Sequence, residues 1–241
     1  MSALENLRVV LVAPRNPLNI GAAARAMSNF GVFDLRAVRP YEKAFREAVS
    51  AVGASGILAK AEVFDEVAAA VADCSLVVGT TAVGNRELQQ PLYLLEQAAD
   101  RIRRSLRDTP VALLFGSEKW GLSNETLSHC HWLLHIPARP EHQSMNLGQA
   151  VAVCLYELAR QPISQMEKAQ PPTACMDTVD RITTNLLEAL RISGYVKPRA
   201  GVSAEQKLRR MLRRFALQSA DAEVFLGMLH KILWKLRSNK P

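Results

Sequence analysis

The sequence predicts an α/β protein with a mostly parallel sheet, helices on both faces, and a small all-helical C-terminal extension. Three observations predict this fold class. Short apolar runs typical of buried strands recur as far as residue 136, helical patterns separate these runs, and only helical patterns occur after residue 160. Buried strands that alternate with helices are typical of a parallel sheet covered on both faces. The chain has 241 residues, of which 49% are apolar, so it can bury a globular core.

Each element of the α/β part has its own local signal. The six apolar runs predicted as strands are Leu7–Ala13, Leu35–Val38, Ala61–Phe64, Ser75–Gly79, Val111–Phe115 and His131–Ile136. The predicted helices are Ile20–Phe30, Glu42–Val52, 66–72, Pro91–Leu106, Asn124–Cys130 and Met145–Leu158. Asn19, Asp65 and Ser144 precede three of these helices, so each is a candidate N-cap. Gly31 and Gly53 are placed to end the first two helices.

The chain after residue 160 predicts a linker followed by a helical unit. Residues 161–174 contain three prolines among polar side chains. We therefore predict an α/β domain over 1–161, a linker over 162–176 and a helical extension over 177–241. An amphipathic helix is predicted over Asp177–Ile192. A second helix opens with the capping-box pattern of Ser203 to Gln206, and Asp221 would cap a third that ends near Arg237.

The formal charge of +7 is concentrated in this extension. Residues 195–241 carry eleven Lys and Arg against three Asp and Glu, whereas residues 1–194 carry nineteen against twenty. Such asymmetry favours binding to a polyanion such as RNA. The candidate RNA contacts lie on the second helix of the extension and are Lys207, Arg209, Arg210, Arg213 and Arg214, beside an apolar stripe of Leu208, Met211, Leu212 and Phe215. Alternatively, the helix presents only a solvated basic face.

Several function classes find no support in the sequence. No apolar run is long enough to span a bilayer and the N-terminus has no signal pattern, so we expect a cytoplasmic protein without a membrane partner. The four cysteines form no CxxC pair. His129, His131 and His135 lie close together but have no accompanying set of ligands, so we expect them to be structural and no metal to be bound. Dinucleotide-binding, P-loop and Ser-His-Asp patterns do not occur.

Polar residues and glycines cluster where the predicted strands end. In an open α/β sheet, ligands bind in the crevice outside the carboxyl ends of the strands. The polar residues that follow strand ends are Asn19, Arg25, Thr80, Thr81, Glu118, Ser144 and Asn146. Gly79, Gly116 and Gly121 flank three of these ends, and glycine lets a flat ligand lie against bare backbone.

Three segments at these strand ends resemble known motifs. Asn19-Ile-Gly-Ala-Ala-Ala-Arg25, Leu114-Phe-Gly-Ser-Glu-Lys-Trp-Gly-Leu122 and Ile136-Pro-Ala with Ser144-Met-Asn-Leu147 resemble, in order, the three motifs of the SPOUT RNA 2′-O-methyltransferases. The resemblance implies a deep trefoil knot near the C-terminal end of the α/β domain and S-adenosylmethionine folded into it. It also implies a homodimer in which the partner completes each site.

The extension carries the resemblance to one branch of that family. Lys207-Leu-Arg-Arg-Met-Leu-Arg-Arg214 and Glu223-Val-Phe-Leu-Gly-Met-Leu229 resemble the extension of the enzymes that methylate the ribose of nucleotide 32, a cytidine or uridine, in the tRNA anticodon loop. Two alternatives remain. One is a methyltransferase of the same superfamily that acts on rRNA or another tRNA position, and the other is a non-catalytic RNA-binding protein.

The resemblance also implies roles for individual residues. Arg25 would orient the ribose hydroxyl and neutralise the substrate phosphate, so it is both a catalytic and an RNA-binding candidate. Asn19 would brace the loop and the ribose, and Glu118 would hold the loop of the second motif or neighbouring donors. Ser144 and Asn146 would cap the helix of the knot and position the ligand or ribose. The expected cofactor-binding residues are Thr80, Thr81, Ala82, Gly116, Ile136, Ser144, Met145 and Leu147. From the residues alone, Arg25 could equally be a solvated helix residue, Glu118 a surface carboxylate, and Ser144 only a cap.

Overall fold

A single seven-stranded parallel sheet forms the centre of the protein. The computed structural model describes residues 4–50, 55–82, 88–139, 141, 144–160, 172–197 and 201–238. In the sheet the strands have the order β3-β2-β1-β6-β4-β7-β5, and every described pair is parallel. Their bounds are β1 Leu7–Val12, β2 Asp34–Val38, β3 Glu62–Phe64, β4 Leu76–Thr80, β5 Leu92–Leu94, β6 Val111–Phe115 and β7 Trp132–His135. The predicted fold class is confirmed.

Helices cover both faces of this sheet. Their bounds are α1 Pro17–Asn29, α2 Glu42–Ser50, α3 Ser55–Ala59, α4 Val67–Ala70, α5 Leu95–Leu106, α6 Asn124–Ser128, α7 Leu147–Arg160, α8 Met176–Ile192, α9 Gly201–Arg214 and α10 Ser219–Ser238. Alternate residues of β1 point to opposite faces, with Val9 and Leu11 in one buried cluster and Val10 and Val12 in the other. No helix in the described ranges has the length and apolarity needed to cross a membrane.

One strand was not predicted from the sequence. Residues Pro91–Leu106 were predicted as a single helix, but Leu92–Leu94 form β5 and the helix begins only at Leu95. The short strand pairs with β7 at the edge of the sheet, where Leu92 lies opposite Leu133. Its three residues contain no β-branched side chain and continue the apolar spacing of α5, so nothing in the local pattern separates them from the helix.

Two predicted caps, Asn19 and Ser144, are wrong, because Asn16 caps α1 and Asn146 caps α7. Helix α1 begins at Pro17, and the side chain of Asn16 accepts a hydrogen bond of 2.9 Å from the backbone N–H of Leu18. Asn19 therefore lies inside the helix. At α7 the Oδ1 atom of Asn146, and not Ser144, accepts from the backbone N–H groups of Gly148 and Gln149 at 3.0 and 3.3 Å.

Three further helix starts differ from the predictions. Glu66 occupies the N-cap position of α4 without a side-chain cap, so Asp65 does not cap it. Ser203 lies inside α9, which begins at Gly201, and Asp221 lies in the first turn of α10. Residues 51–54 and 161–171, which include the predicted end of the second helix and most of the predicted linker, lie outside the described residues.

The extension is all-helical, as predicted, and it is built onto one face of the sheet. The backbone N–H of Met176 donates to the carbonyl of Cys74 at 2.7 Å, and that of Asp177 donates to the carbonyl of Ala72 at 2.9 Å. Side chains of α8, α9 and α10 lie in the same buried cluster as those of β4 and β6. The extension therefore completes the core on the face that also carries α4 and α6.

We expect Ile182→Ala to lower the free energy of unfolding of the whole chain by about 2–5 kcal/mol. Ile182 is fully buried on α8 within the cluster shared with the sheet. Urea unfolding followed by circular dichroism measures the change. The matched control is Arg181→Ala, because Arg181 is exposed on the same helix. Equal stability of the two variants would contradict a core shared between sheet and extension.

Candidate active site

A cavity of about 380 Å³ opens at the carboxyl ends of β4, β6 and β7. Its volume lies within the range of small-molecule sites, about 300–1,000 Å³. All eight residues that the resemblance assigned to cofactor binding line this cavity: Thr80, Thr81, Ala82, Gly116, Ile136, Ser144, Met145 and Leu147. The sheet topology explains the convergence, because β4 lies between β6 and β7 and the three strands end at one edge.

The floor of the cavity is fixed by hydrogen bonds from the end of β4 to both neighbouring strands. The Thr80 hydroxyl donates to the carbonyl of Leu114 on β6 at 2.9 Å, and the Thr81 N–H donates to the carbonyl of Leu134 on β7 at 3.0 Å. Gly79 leaves no room for a side chain, since an added Cβ would lie 2.8 Å from Cys130 Sγ. These contacts hold the backbone at the strand ends in place.

The loop after β6 folds tightly back on itself. An added Cβ on Gly116 would lie 2.0 Å from the carbonyl carbon of Gly121 and 2.2 Å from the backbone nitrogen of Leu122. Gly121 has a φ of +66°, which favours glycine, and its N–H donates to the carbonyl of Ser117 at 2.8 Å. The glycine at 116 is therefore needed for the close approach of the loop's own backbone, and it also lines the cavity.

Glu118 connects this loop to the start of α1. Its carboxylate accepts hydrogen bonds from the backbone N–H of Arg15 at 3.2 Å, from that of Asn16 at 3.1 Å and from the side-chain amide of Asn19 at 3.1 Å. Partial burial opposes ionisation, but the hydrogen bonds outweigh it and hold the pKa of Glu118 below its usual range. The charged carboxylate thus acts as a fixed acceptor at neutral pH.

Asn19 and Asn146 extend this network to α7. The side-chain amide of Asn146 donates to Asn19 Oδ1 at 2.7 Å, while its own Oδ1 caps α7. Three of the five predicted catalytic residues are thus bonded into one chain: Glu118, Asn19 and Asn146. Ser144 is exposed and lines the cavity.

Arg25 is the predicted catalytic residue that neither joins this hydrogen-bonded chain nor lines the cavity. It lies on the exposed side of α1 and does not line the cavity of its own chain. Among the described residues, its guanidinium makes no hydrogen bond or ion pair. Its side chain is available to a substrate or a second chain.

The structure separates the five predicted RNA contacts of α9 into exposed and buried groups. Lys207 and Arg214 are exposed and Arg210 is half-buried. Arg209 is largely covered and bonds to the Ser128 hydroxyl at 3.0 Å and to a Glu205 oxygen at 2.6 Å. Only three of the five predicted contacts, Lys207, Arg210 and Arg214, therefore remain accessible to phosphates.

The prediction of an RNA contact at Arg213 is wrong for this arrangement of the chain. Its side chain is fully buried, pairs with Asp180 at 2.8 Å and lies 3.5 Å from His129 Nδ1. Helical spacing placed Arg213 on the basic face, but the packing of α9 against α6 and α8 turns that position inward. Arg213 cannot reach a phosphate without undocking the helix.

His129 and His131 are buried and serve structural roles in this arrangement. Burial, reinforced by the nearby positive charges of Arg213 and Arg209, lowers the pKa of His129 to about 2. Burial also lowers the pKa of His131 to about 3, and its Nδ1 accepts from the backbone N–H of Val77 at 3.0 Å. Within the described part of the chain, no three His, Cys, Asp or Glu side chains are grouped to hold a metal ion.

Some cavity residues were not selected from the sequence. Lys119 and Trp120, on the loop after β6, and Ala138 and Ala150 also line the cavity. The first two lie within the second motif and could have been selected from their position beside Glu118. The two alanines carry no chemical signal and become visible only when the chain is folded.

The cavity and the motif residues around it match a known family. The model of the SpoU rRNA methylase family matches residues 6–156. The chain belongs to the SpoU methylase family. It is 35% identical over 237 residues to the tRNA (cytidine/uridine-2′-O-)-methyltransferase TrmJ of Klebsiella pneumoniae, with 95% of this chain and 97% of that protein covered. The similarity to this SpoU-family relative thus includes most of the extension.

Solved structures support the same assignment. TrmJ from Z. mobilis ZM4 is 33% identical with a TM-score of 0.80, and the match covers 93% of this chain and 98% of that chain. An rRNA methyltransferase from Sinorhizobium meliloti, solved with AdoMet bound, is 24% identical with a TM-score of 0.51 over 66% of this chain and 57% of that chain. This second likeness shows the fold alone.

We expect Gly116→Ala to weaken binding of the methyl donor by at least about tenfold, because the added Cβ displaces the loop backbone at Gly121 and Leu122 and so deforms the cavity wall. Isothermal titration calorimetry with S-adenosylmethionine measures the affinity. The control is Gly227→Ala, since nothing lies within 4 Å of an added Cβ on that helical glycine. An unchanged affinity in Gly116→Ala would show that the loop does not shape the donor site.

Proposed function

We propose that the protein transfers a methyl group from S-adenosylmethionine to the ribose 2′-hydroxyl of a cytidine or uridine, nucleotide 32, in the tRNA anticodon loop. The observation that carries the proposal is the cavity at the ends of β4, β6 and β7, which gathers every residue that the motifs assigned to the donor. The full-length similarity to relatives named as tRNA methyltransferases supports tRNA as the substrate.

The cavity fits the methyl donor in size and chemistry. Apolar side chains such as Ile136 and Leu147 can contact an adenine ring, and the strand-end backbone near Thr80 and Gly116 can hydrogen-bond its edge. The bound donor supplies an electrophilic methyl group on a sulfonium, so the reaction needs no metal. The protein's part is to bind the donor, position the ribose and ease the loss of its proton.

Arg25 is the residue we assign to the ribose. A guanidinium is protonated at neutral pH, so its role is to orient the 2′-hydroxyl and neutralise the adjoining phosphate as the proton leaves. Arg25 does not line the cavity of its own chain. We infer a homodimer in which the partner's Arg25 reaches the cavity and completes the site.

Two further features belong to the same proposal. The chain from β6 to β7 crosses β4, and the segments after both strands, around Glu118 and Ser144, close over the same cavity. This arrangement supports a trefoil knot that encloses the donor. A tRNA substrate also supports a cytoplasmic location for the enzyme.

The full-length protein, tritiated S-adenosylmethionine and separate tRNA and rRNA pools test the substrate. Methyl incorporation into tRNA, mapped to the 2′-oxygen of nucleotide 32, is the expected result. Incorporation into rRNA alone would favour an rRNA enzyme, the alternative that the family's description suggests. Donor binding without transfer to either pool would favour a non-catalytic RNA-binding protein.

We expect Arg25→Ala to lower kcat by about 100-fold or more at saturating tRNA, the usual scale for a group that assists proton transfer. Donor affinity should stay unchanged, because Arg25 is assigned to the ribose and its phosphate, and the residues assigned to the donor are others that line the cavity. Arg25→Lys keeps the charge but loses the planar fork of donors, so it should restore only part of the rate. Near-normal turnover of Arg25→Ala would make Arg25 an ordinary surface residue.

We expect combined charge reversal at Lys207, Arg210 and Arg214 to weaken tRNA binding and flatten its salt dependence, because fewer counterions are released when fewer phosphates are neutralised. These three are the basic residues of α9 that remain at least partly exposed. Filter binding at several salt concentrations gives the affinity and the slope.

The matched control reverses the charge of three exposed residues elsewhere, Lys43, Arg46 and Lys60, on or beside α2 and α3. This control changes the net charge by the same amount. If both triple variants shift affinity and slope equally, α9 contributes only to the overall field of the protein and does not contact tRNA.

A further inference from the structure

Trp120 is a large apolar side chain that the fold leaves exposed beside the cavity. It lines the cavity, yet 71% of its surface is accessible to solvent. The protein has two other tryptophans, of which Trp132 is 9% exposed in β7 and Trp234 is 58% exposed on α10. An exposed indole has no folding advantage at this position, because its apolar surface remains in water. Its position at a ligand cavity therefore points to a contact made only in a complex.

The loop beneath Trp120 holds the indole on a fixed base. The backbone N–H of Trp120 donates to the Ser117 hydroxyl at 3.3 Å, and Ser117 and Gly121 form a bridge across the turn. Glu118, two residues before Trp120, is anchored by the three hydrogen bonds that join it to the start of α1. Because the turn is held at both of these points, the backbone that carries the ring has little freedom. Less entropy is therefore lost when a ligand stacks on the ring.

The surroundings of the indole suit a nucleotide. Lys119 Nζ lies over the Trp120 ring, 4.7 Å from its centroid, so a positive charge covers one face of the indole and the other face is left for a base. Trp120 belongs to neither of the aromatic pairs found among the described residues, Phe30 with Tyr156 and Tyr93 with Trp132. An open aromatic face next to a cation is the combination that binds single-stranded nucleic acid, with the ring for the base and the cation for the phosphate.

We propose that the indole of Trp120 stacks on the pyrimidine base of the nucleotide whose ribose is methylated. This inference rests on the proposed function. For transfer, the ribose must face the donor in the cavity, so its attached base lies at the cavity rim, where Trp120 stands. Loop nucleotides in RNA can be splayed out so that their bases stack on aromatic side chains.

Stacking on Trp120 also sets the specificity of the site. A base presents its aromatic face whatever its hydrogen-bonding edge, so an indole platform accepts cytidine and uridine alike. Position in the tRNA would then be read by the phosphate contacts of the basic surface, and not by the edge of the target base. The rigid loop places the base, and with it the 2′-hydroxyl, at one distance from the donor.

The test compares Trp120→Leu and Trp120→Phe in the full-length protein with an unmodified tRNA transcript. Leucine keeps an apolar side chain without an aromatic face, whereas phenylalanine keeps a face. We expect Trp120→Leu to raise KM for tRNA by about tenfold or more, from the loss of one base–aromatic stack, and Trp120→Phe to recover most of that loss. Affinity for S-adenosylmethionine and the dimer, measured by calorimetry and sedimentation, should not change.

Trp234→Leu is the matched control, because Trp234 is also exposed and also has a lysine over its ring, Lys231 Nζ at 4.3 Å. It should leave KM unchanged. In addition, tRNA should quench the fluorescence of the wild-type protein, and Trp120→Leu should remove that quenching whereas Trp234→Leu should not. A merely structural role for Trp120 would not produce this difference.

A second measurement identifies the stacked base. An anticodon stem-loop RNA in which the target nucleotide keeps its ribose but lacks its base should bind wild-type protein and Trp120→Leu equally, since the interaction is then missing from both. A loss of affinity on Trp120→Leu that persists with the abasic RNA would overturn the proposal. Loss of donor binding would assign the indole to the donor's adenine, and loss of the dimer would assign it to the subunit interface, and either result would overturn the proposal.

The proposed function fails separately, when the wild-type protein does not methylate the 2′-oxygen of nucleotide 32 in tRNA. If wild-type protein methylates tRNA and Trp120→Leu does so with an unchanged KM, only the stacking inference is wrong.

Discussion

The carboxylate of Glu118 joins three parts of the chain that are distant in sequence. It accepts from Arg15 and Asn16 at the start of α1 and from the side chain of Asn19, which in turn accepts from Asn146 at the start of α7. Because the pKa of this carboxyl is held low, it remains an ionised acceptor for all three donors at neutral pH. The loop that carries Glu118 also forms one wall of the cavity, so the shape of the site depends on this network.

The same network explains why the site residues divide into two kinds. The first kind, Glu118, Asn19 and Asn146, forms hydrogen bonds within the group and with backbone N–H groups. The side chains of Arg25 and Trp120 are exposed, and neither side chain makes a hydrogen bond among the described residues. Residues of the first kind build the scaffold, and the exposed side chains of the second kind remain available to a ligand. A site built in this way is preorganised, because its supporting bonds are complete before any ligand arrives.

A second constraint ties the extension to the catalytic face. Arg213 of α9 is fully buried against Asp180 of α8 and beside His129, which follows α6. Burial lowers the pKa of Arg213, and the charge of Asp180 opposes that shift. The Nε and Nη1 atoms of Arg213 have no hydrogen-bond partner among the described residues. Such a pair adds little net stability, but losing one partner leaves a buried charge that costs about 3–5 kcal/mol. The contact therefore fixes where α9 docks.

Apolar periodicity, a local signal, predicted the fold class and six of the seven strands. The resemblance to known motifs predicted eight of the cavity-lining residues, but not Lys119, Trp120, Ala138 or Ala150. The edge strand at Leu92–Leu94 could not be predicted, since its pairing with β7 is a long-range contact without a local pattern. The choice of Asn16 over Asn19 and of Asn146 over Ser144 as caps depends on the exact helix start, which a sequence pattern fixes only within a few residues. The position of the cap also matters for the site. Because Asn16 caps α1, the side chain of Asn19 is left to bond to Glu118 and Asn146.

The basic helix α9 shows most clearly why charge patterns overstate a binding surface. Five cationic residues at helical spacing look equivalent in the sequence, yet only Lys207 and Arg214 are exposed, while Arg210 is half-buried. The long apolar stems of lysine and arginine let such residues pack inward as readily as outward, so helical position alone does not separate a phosphate contact from an internal ion pair. The two cases differ in the residue that the side chain pairs with. Arg213 pairs with Asp180 of α8, which lies thirty-three residues earlier in the sequence. The docked arginines hold α9 beside α6, whose residue Leu127 lines the cavity. The exposed residues of α9 are thereby held on the same side of the sheet as α6.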